Sequence, residues 1–540
     1  MQEEAVPPVG TMQAWSLTID RFIDHAARWH GERKVVSRGF DGDITSMSWA
    51  DIRRKAARLS NALAAHGIVL GDRVGTLAMN SGRHIAAWFG IMGMGAICHT
   101  LNPRFSDEQL LYIINHGGDR IILTDRQYWP VLERLLPQCP AVEKVVVLDG
   151  DGGDGWDAFL ADHDDNVLWG EFDENVAAGL CYTSGTTGDP KGVLYTHRSN
   201  SLHTLMIMQP DVYAIGANEV LMPIVPMFHA NGWGLIFAAA AVGCKLVLPG
   251  ARLDGASLHE LMEQEGVTVA AAVPTVWLTL LGHLRETRQS LSTLRRISVG
   301  GAACSEAIFR GLMDHGIEVR HNWGMTETSP VGTGGVLLPE IQQMSDEEQM
   351  RFRLSQGRPI IGTDLRIVDE DGKELPRDGV AIGEFQIRGH SIAGRYYRTD
   401  RSALDKDGFF STGDVGTIDG YGTMRITDRS KDVIKSGGEW ISSVDIENMA
   451  LAHPGVKMAA AIGVSHPKWN ERPLLLVERS GEGDVTAEDI RDMLAARLAR
   501  WAVPDAIEFV DEIPLGATGK IDKKVLRARY AGYYEKTTSS

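Results

Sequence analysis

Residues 182–193 read YTSGTTGDPKGV, a run rich in serine, threonine and glycine that ends in a lysine. Gly185, Gly188 and Gly192 let backbone approach a ligand closely, the hydroxyls of Ser184, Thr186 and Thr187 suit phosphate oxygens, and Lys191 adds a cation. The same composition also makes an ordinary surface turn. The spacing is not that of the common nucleotide loop GxxxxGK[ST], because Gly185 is followed by Thr-Thr-Gly-Asp-Pro-Lys.

At 540 residues the chain is longer than a single growing core supports, so at least two domains are expected. Its longest apolar stretch, 234–248, is interrupted by Lys245, and 87–97 is too short for a membrane span, so none is expected. The first fourteen residues carry Glu3 and Glu4 and no basic residue, which argues against an export signal. Five scattered cysteines without CxxC spacing read as reduced thiols, and with these features the expected location is the cytoplasm. A net charge of −17 opposes nucleic acid as a partner. A small anionic substrate would need a locally positive site.

From about residue 45 to beyond 320, helical patterns alternate with apolar β-rich runs such as 73–79, 120–124, 144–148, 268–273 and 296–299, the rhythm of parallel α/β layers. Past Pro359 the texture changes to short alternating strands separated by Asp-Gly turns, which predicts a β subdomain. Beyond 432, VDIENMALAHP, KMAAAIGVS, RPLLLVER and AEDIRDMLAARLARW predict a small α+β domain. The expected division is 1–428, a hinge at 429–432, and 433–540.

Five further stretches carry candidate chemistry. PMFHANGW at 226–233 places His229 and Trp233 four apart, one face of a helix if the segment is helical, or else a buried aromatic cluster. NWGMTET at 322–328 offers Trp323 as a stacking ring and Glu327 as a hard oxygen ligand, where an isolated Thr-Glu would more often be a helix cap. STGD at 411–414 with TDRSKD at 427–432 supplies Asp414, an acceptor for a diol or an Asx turn, together with Arg429 and Lys431. KSGGEWIS at 435–442 has the pair Gly437–Gly438, which lets backbone lie against a thin ligand or simply turns a hairpin. IPLGATGKIDKK at 513–524 contains Lys520, with Lys523 and Lys524 offering the plainer reading of a solvated basic helix start.

Taken in this order, the stretches resemble the AMP-forming acyl-CoA synthetases of the adenylate-forming superfamily, which also holds luciferases and nonribosomal adenylation domains. The resemblance runs from DHAARW at 24–29 through GMGAICHTLNPR at 93–104 to the final lysine motif. It is closest to medium- and long-chain fatty acyl-CoA synthetases and methylmercaptopropionate-CoA ligases. It implies a large N-terminal domain of α/β layers with a β subdomain, and a small mobile α+β C-terminal domain. It also implies ATP, Mg2+ and coenzyme A, and pairing as a homodimer.

Residue by residue, the resemblance places Thr183, Ser184, Gly185, Thr186, Thr187, Gly188 and Lys191 on phosphate, with Thr186 and Glu327 at the metal. Trp323, in place of the usual tyrosine, with Gly324 and Thr326, would hold adenine, and Asp414 and Arg429 the ribose. His229, Trp233, Gly300, Gly301, Ala302 and Val331 would line the acyl pocket, with Trp233 as its gate. The small residues at 300–303 and 331–335 would leave room for an unbranched tail. Lys520 would be the catalytic lysine and Lys431 the pivot. The Gly437–Gly438 segment would line the pantetheine channel, and Lys435, Trp440 and Glu471 would support the adenylate pocket. The implied rivals are a 3-methylmercaptopropionate or aryl-CoA ligase, an acyl-AMP ligase, a luciferase-like oxygenase and a catalytically silent nucleotide-binding scaffold. A nonribosomal module, which would carry a further carrier domain, is not expected.

Overall fold

The computed structural model describes residues 10–150, 152–183, 189–436, 439–481, 485–515 and 521–534, with the backbone alone at 439–440. Two mainly parallel sheets form the large α/β region. The first runs Glu318–His321, Arg296–Val299, Val269–Ala272, Val220–Pro223, Lys245–Leu248, Lys34–Arg38 and Ile44–Ser48, with only the last pair antiparallel. The second runs Lys144–Val147, Asp119–Thr124, Arg73–Leu77, Ile97–Thr100, Ala177–Tyr182 and Gly192–Thr196. Again only the final pair is antiparallel, with Tyr182 opposite Gly192. The near-continuous apolar character of these strands follows from burial on both faces under helices.

Local chemistry sets the helix starts. Ser48 and Asp51 close a capping box on Trp49–Ala65, and Ser106 with Gln109 does the same for Asp107–Gly117. The largest core cluster packs Trp49, Trp88, Phe89 and Phe237 between the layers.

A four-stranded antiparallel sheet follows, ordered Thr363–Val368, Gly383–Gly389, Phe410–Ile418 and Met424–Arg429, and it is the hairpin-rich subdomain expected past Pro359. The chain leaves it through a turn in which the Asp432 and Val433 N–H groups both donate to the Arg429 carbonyl at 2.8 Å. It then enters a smaller sheet containing Glu439–Ile441, Ile434–Ser436, Asn470–Arg479 and Val456–His466, with Ala506–Phe509 parallel to Asn470–Arg479. The helices Ser443–Ala450 and Ala487–Ala495 pack on that sheet through Ile446, Ala450, Ile490 and Leu494. No helix of the described residues is long and apolar enough to cross a membrane. The five cysteines are free and buried.

Candidate active site

Parallel strands leave their C-terminal ends open to ligands, and there the chain places its candidate residues. Tyr182 leads into the glycine-rich loop, Pro223 into 224–234, Val299 into Gly300–Gly301, and His321 into 322–328. The two sheets are tied together at these ends. Thr100 Oγ1 donates to Asn231 Oδ1 at 3.2 Å, and the Tyr195 hydroxyl donates to the Thr326 carbonyl at 2.7 Å.

The strands on either side of the glycine-rich loop are antiparallel, and beyond them the Thr183 N–H donates to the Lys191 carbonyl at 2.9 Å. Ser184, Gly185, Thr186, Thr187 and Gly188 lie outside the described residues, as do Gly437, Gly438 and Lys520 and the Trp440 side chain. Lys191 is exposed and sets its ammonium 4.9 Å from the centre of the Tyr396 ring. The hydroxyl of that tyrosine donates to Glu327 Oε1 at 2.7 Å. Glu327 is only 5% exposed. Burial pushes its carboxyl above the usual range, while the Tyr396 hydrogen bond and the positive charges of Arg429 and Lys191 oppose the shift. Burial and the neighbouring Glu327 charge keep the Tyr396 phenol protonated and therefore a donor.

Trp323 is buried against the β subdomain with Leu365, Phe385 and Ile387, and its indole N–H donates to Asp414 Oδ2 at 2.8 Å. Arg429 Nε meets the other oxygen of Asp414 at 2.6 Å, across the register that pairs these two residues. A 2% exposed carboxylate is thus held by two donors in a fixed plane. The tryptophan therefore has a task that the sequence did not disclose. Gly324 and Thr326 flank the Glu327 turn, and the Ala393 N–H donates to the Glu327 carbonyl at 2.8 Å, strapping the subdomain to it.

Of the two readings of 226–233, the helical one does not hold, and Trp233 is instead buried in the core. From Ala230 to Gly234 every φ is positive, a left-handed turn that costs a non-glycine residue roughly 1–2 kcal/mol in such a conformation. His229 precedes the turn, half-buried in extended backbone. The turn delivers the Trp233 ring over the glycines after Arg296–Val299. A Cβ at Gly300 would lie 2.7 Å from the Asn322 carbonyl and 3.3 Å from that ring, so only glycine fits there. Gly301 has φ +79°, and Ala302 is exposed beside it.

Val331 shares the core cluster of Trp233 and Met227. The glycines after Val331 do not open space for a tail, as the sequence reading expected. A Cβ on Gly332 would strike the Trp323 ring at 2.7 Å, and one on Gly335 would strike the His321 carbonyl at 2.2 Å. Their missing side chains are filled by protein.

Sequence reasoning missed His203, whose Nε2 accepts the Val331 N–H at 3.1 Å, and burial pushes its pKa down to about 3. Its neutral form is favoured in the fold, so this stabilisation is complete above the unfolded value near 6.5 and is lost as pH falls toward 3. In His203→Gln, the stability deficit relative to the parent should shrink below pH 6.5 by about 1.4 kcal/mol per pH unit, which urea unfolding at pH 7 and pH 5 checks.

In the small domain, Lys435 N–H donates to Glu471 Oε2 at 2.9 Å and its ammonium reaches Glu370 Oε1 at 3.1 Å. Lys431 is exposed on the connecting turn. Lys523 is not a solvated lysine. Its side chain is 11% exposed and pairs with Glu447 Oε1 at 2.7 Å and with the Ser443 hydroxyl, whereas Lys524 is exposed. The loop that ends at Lys520 is bracketed by a Leu515–Ile521 bridge and by the Asp522 N–H on the Pro514 carbonyl at 2.8 Å.

Comparison with known families decides the affiliation. Residues 22–397 match the AMP-binding enzyme family and 445–520 its C-terminal domain. The chain belongs to the AMP-binding enzymes. It is 42% identical to a medium-chain-fatty-acid–CoA ligase of Ectopseudomonas oleovorans, covering 98% of this chain and 99% of that one. It is 43% identical to a 3-methylmercaptopropionyl-CoA ligase of Ruegeria lacuscaerulensis, covering 97% and 99%. Among solved structures, ATP-bound MatB from Rhodopseudomonas palustris superposes with a TM-score of 0.84 at 26% identity, covering 96% of this chain and all of that one. In this fold Lys191 and Glu327 meet through Tyr396, and Trp323, on the strand that leads into the Glu327 turn, carries Asp414 paired with Arg429 across two strands of the β subdomain.

Proposed function

We propose that this AMP-binding enzyme is an AMP-forming acid–CoA ligase acting on linear fatty carboxylic acids. The supporting observation is the fixed Asp414 carboxylate, held by Trp323 and Arg429, beside the buried Glu327 and the exposed Lys191. That is a ribose acceptor next to a phosphate and metal site. In the first step a carboxylate oxygen bonds to the α-phosphorus of ATP and the bond to the β-phosphate oxygen breaks, releasing pyrophosphate. The acid needs no general base, since a carboxylic acid of pKa ~4–5 is already ionised. Two anions must meet, so neutralising charge is the main lever, and Lys191, Lys520 and the hydroxyls of 184–187 serve it.

Glu327 offers one hard oxygen, which fits Mg2+, an ion that takes few protein carboxylates and shares substrate phosphates and water. Glu327 and Thr186 would hold it, and when bound it supplies further neutralisation of the phosphate oxygens. In the second step the thiol of coenzyme A bonds to the acyl carbon, AMP leaves with the electron pair, and the thiol proton passes to solvent. The 435–442 hairpin is the surface proposed for the thiol arm, and rotation about Lys431 for bringing it there in place of Lys520. ATP, coenzyme A and a small acid are the partners, and a cytoplasmic homodimer is the expected form. The likeness to a 3-methylmercaptopropionyl-CoA ligase supports a second reading with the same mechanism and a shorter, sulfur-containing acid.

The test is CoA-dependent release of AMP and pyrophosphate across linear acids from acetate to palmitate, with methylmercaptopropionate and cinnamates included. A maximum on linear acids is expected. A maximum on cinnamates would overturn the fatty reading, and adenylate without thioester would overturn the ligase. The site makes its own prediction as well. In Trp323→Phe the stacking face remains but the hydrogen bond to a charged acceptor, about 1.5–3 kcal/mol, is lost. ATP should then bind at least roughly tenfold more weakly by calorimetry, and an unchanged affinity would deny the indole its role on Asp414.

A further inference from the structure

We infer that Tyr396 is a positioning residue that sets both the metal carboxylate and the phosphate-loop lysine, an inference that rests on the proposed ligase reading. One side chain makes both contacts: its hydroxyl donates to Glu327 Oε1 at 2.7 Å, and its ring face lies 4.9 Å from the Lys191 ammonium. A carboxylate on a short turn rotates about its last bond unless an oxygen is held, and the tyrosine hydroxyl supplies that hold from another element. Lys191 has four flexible carbons, and a ring beneath the ammonium narrows where it points.

The tyrosine is itself anchored. Its ring stands edge-on to Phe410 with centroids 6.3 Å apart, it packs on the β-subdomain core, and the next residue donates its N–H to the Gly192 carbonyl at 2.7 Å. The chain around 393–397 therefore ties the start of Gly192–Thr196 and the Glu327 turn to the β subdomain. Tyr396 also borders a cavity of about 540 Å³ shared with Tyr112, Lys191 and Phe409, so shortening this side chain enlarges an existing space rather than emptying a sealed core.

Two variants separate its two contacts. Tyr396→Phe removes only the hydroxyl, and Tyr396→Leu removes the ring as well. Mn2+ stands in for Mg2+, read by electron paramagnetic resonance with ATP present, and metal-free ATP binding is read by calorimetry in EDTA. In Tyr396→Phe, Mn2+ in the ATP complex should bind about 5- to 20-fold more weakly, with metal-free ATP affinity within twofold of the parent. Tyr396→Leu should add a roughly two- to fivefold loss of metal-free ATP affinity.

A double variant shows whether the effect passes through the carboxylate. On a Glu327→Gln background, Tyr396→Phe should weaken Mn2+ no further. Equal Mn2+ affinity in Tyr396→Phe and the parent, or additive losses in the double variant, would overturn the inference. Failure of the ligase reading looks different, because the parent would then either show no ATP-dependent Mn2+ signal or bind Mn2+ with ATP and still form no thioester when acid and coenzyme A are added.

Discussion

Glu327→Gln should lower the rate of ATP–pyrophosphate exchange by about 10²- to 10³-fold, the loss seen when one preorganised charge-stabilising group is removed from a water-excluded site. The same substitution should leave the protein as stable as before or more so. Glu327 is almost fully buried and burial disfavours its charge, so the fold gains nothing by keeping a carboxylate there. Glutamine has the same shape, and its side-chain carbonyl still accepts the Tyr396 hydroxyl. A charge that burdens the fold and survives is a mark of function rather than packing. Exchange within threefold of the parent, or a collapse in unfolding midpoint that accounts for the lost activity, would remove Glu327 from the chemistry.

The α/β architecture was legible because both parallel sheets have strands that read as apolar runs between helical patterns. The strands Arg73–Leu77, Asp119–Thr124, Lys144–Val147 and Arg296–Val299 stand within a residue or two of where those runs lie. The β subdomain was legible for a similar reason, its Asp-Gly turns punctuating short alternating strands. Glu327, Asp414 and Arg429 were singled out by motif, and the fold pairs Asp414 with Arg429 and joins that pair to Trp323, four residues before Glu327. What could not be read was any contact made across the chain. Tyr396 and His203 sit in stretches with no distinguishing spacing, and only the tertiary structure puts one on Glu327 and the other on Val331. The sequence left 226–233 open between one helical face and a buried aromatic cluster, because His-Ala-Asn-Gly-Trp has a helix-compatible spacing and backbone handedness leaves no trace in it. The glycines of 331–335 show the same limit. A missing side chain announces space, but the sequence does not say whether ligand or protein fills it.

Lys523→Met should destabilise the small domain by about 3–5 kcal/mol, the cost of leaving buried partners of an ion pair uncompensated. Lys523 lies where three pieces of chain meet. Its ammonium pairs with Glu447 on Ser443–Ala450, and its charge also acts on Asp428, which accepts the Ser443 N–H at 2.7 Å and the Arg429 N–H at 2.8 Å. Without the lysine, two buried carboxylates face each other with only neutral donors. Burial already raises both carboxyls, and Lys523 is the leading influence holding each down. A raised carboxyl binds its proton more tightly in the fold than in the unfolded chain, so stability falls as pH climbs toward the raised value. Loss of Lys523 raises these groups further, so the deficit of the variant should be largest at neutral pH and should narrow as pH falls toward 5. Hydrogen exchange across 443–530 at pH 7 and pH 5 measures this directly. Lys524→Met, on an exposed neighbour, should change stability by less than about 0.5 kcal/mol. Lys523→Met combined with Glu447→Leu should recover part of the loss, because deleting both charges is far less costly than deleting one. Equal effects at positions 523 and 524 would return Lys523 to the solvated surface. A selective effect would instead mean that the joint where Asp428, the start of Ser443–Ala450 and Lys523 meet is held by a buried cation.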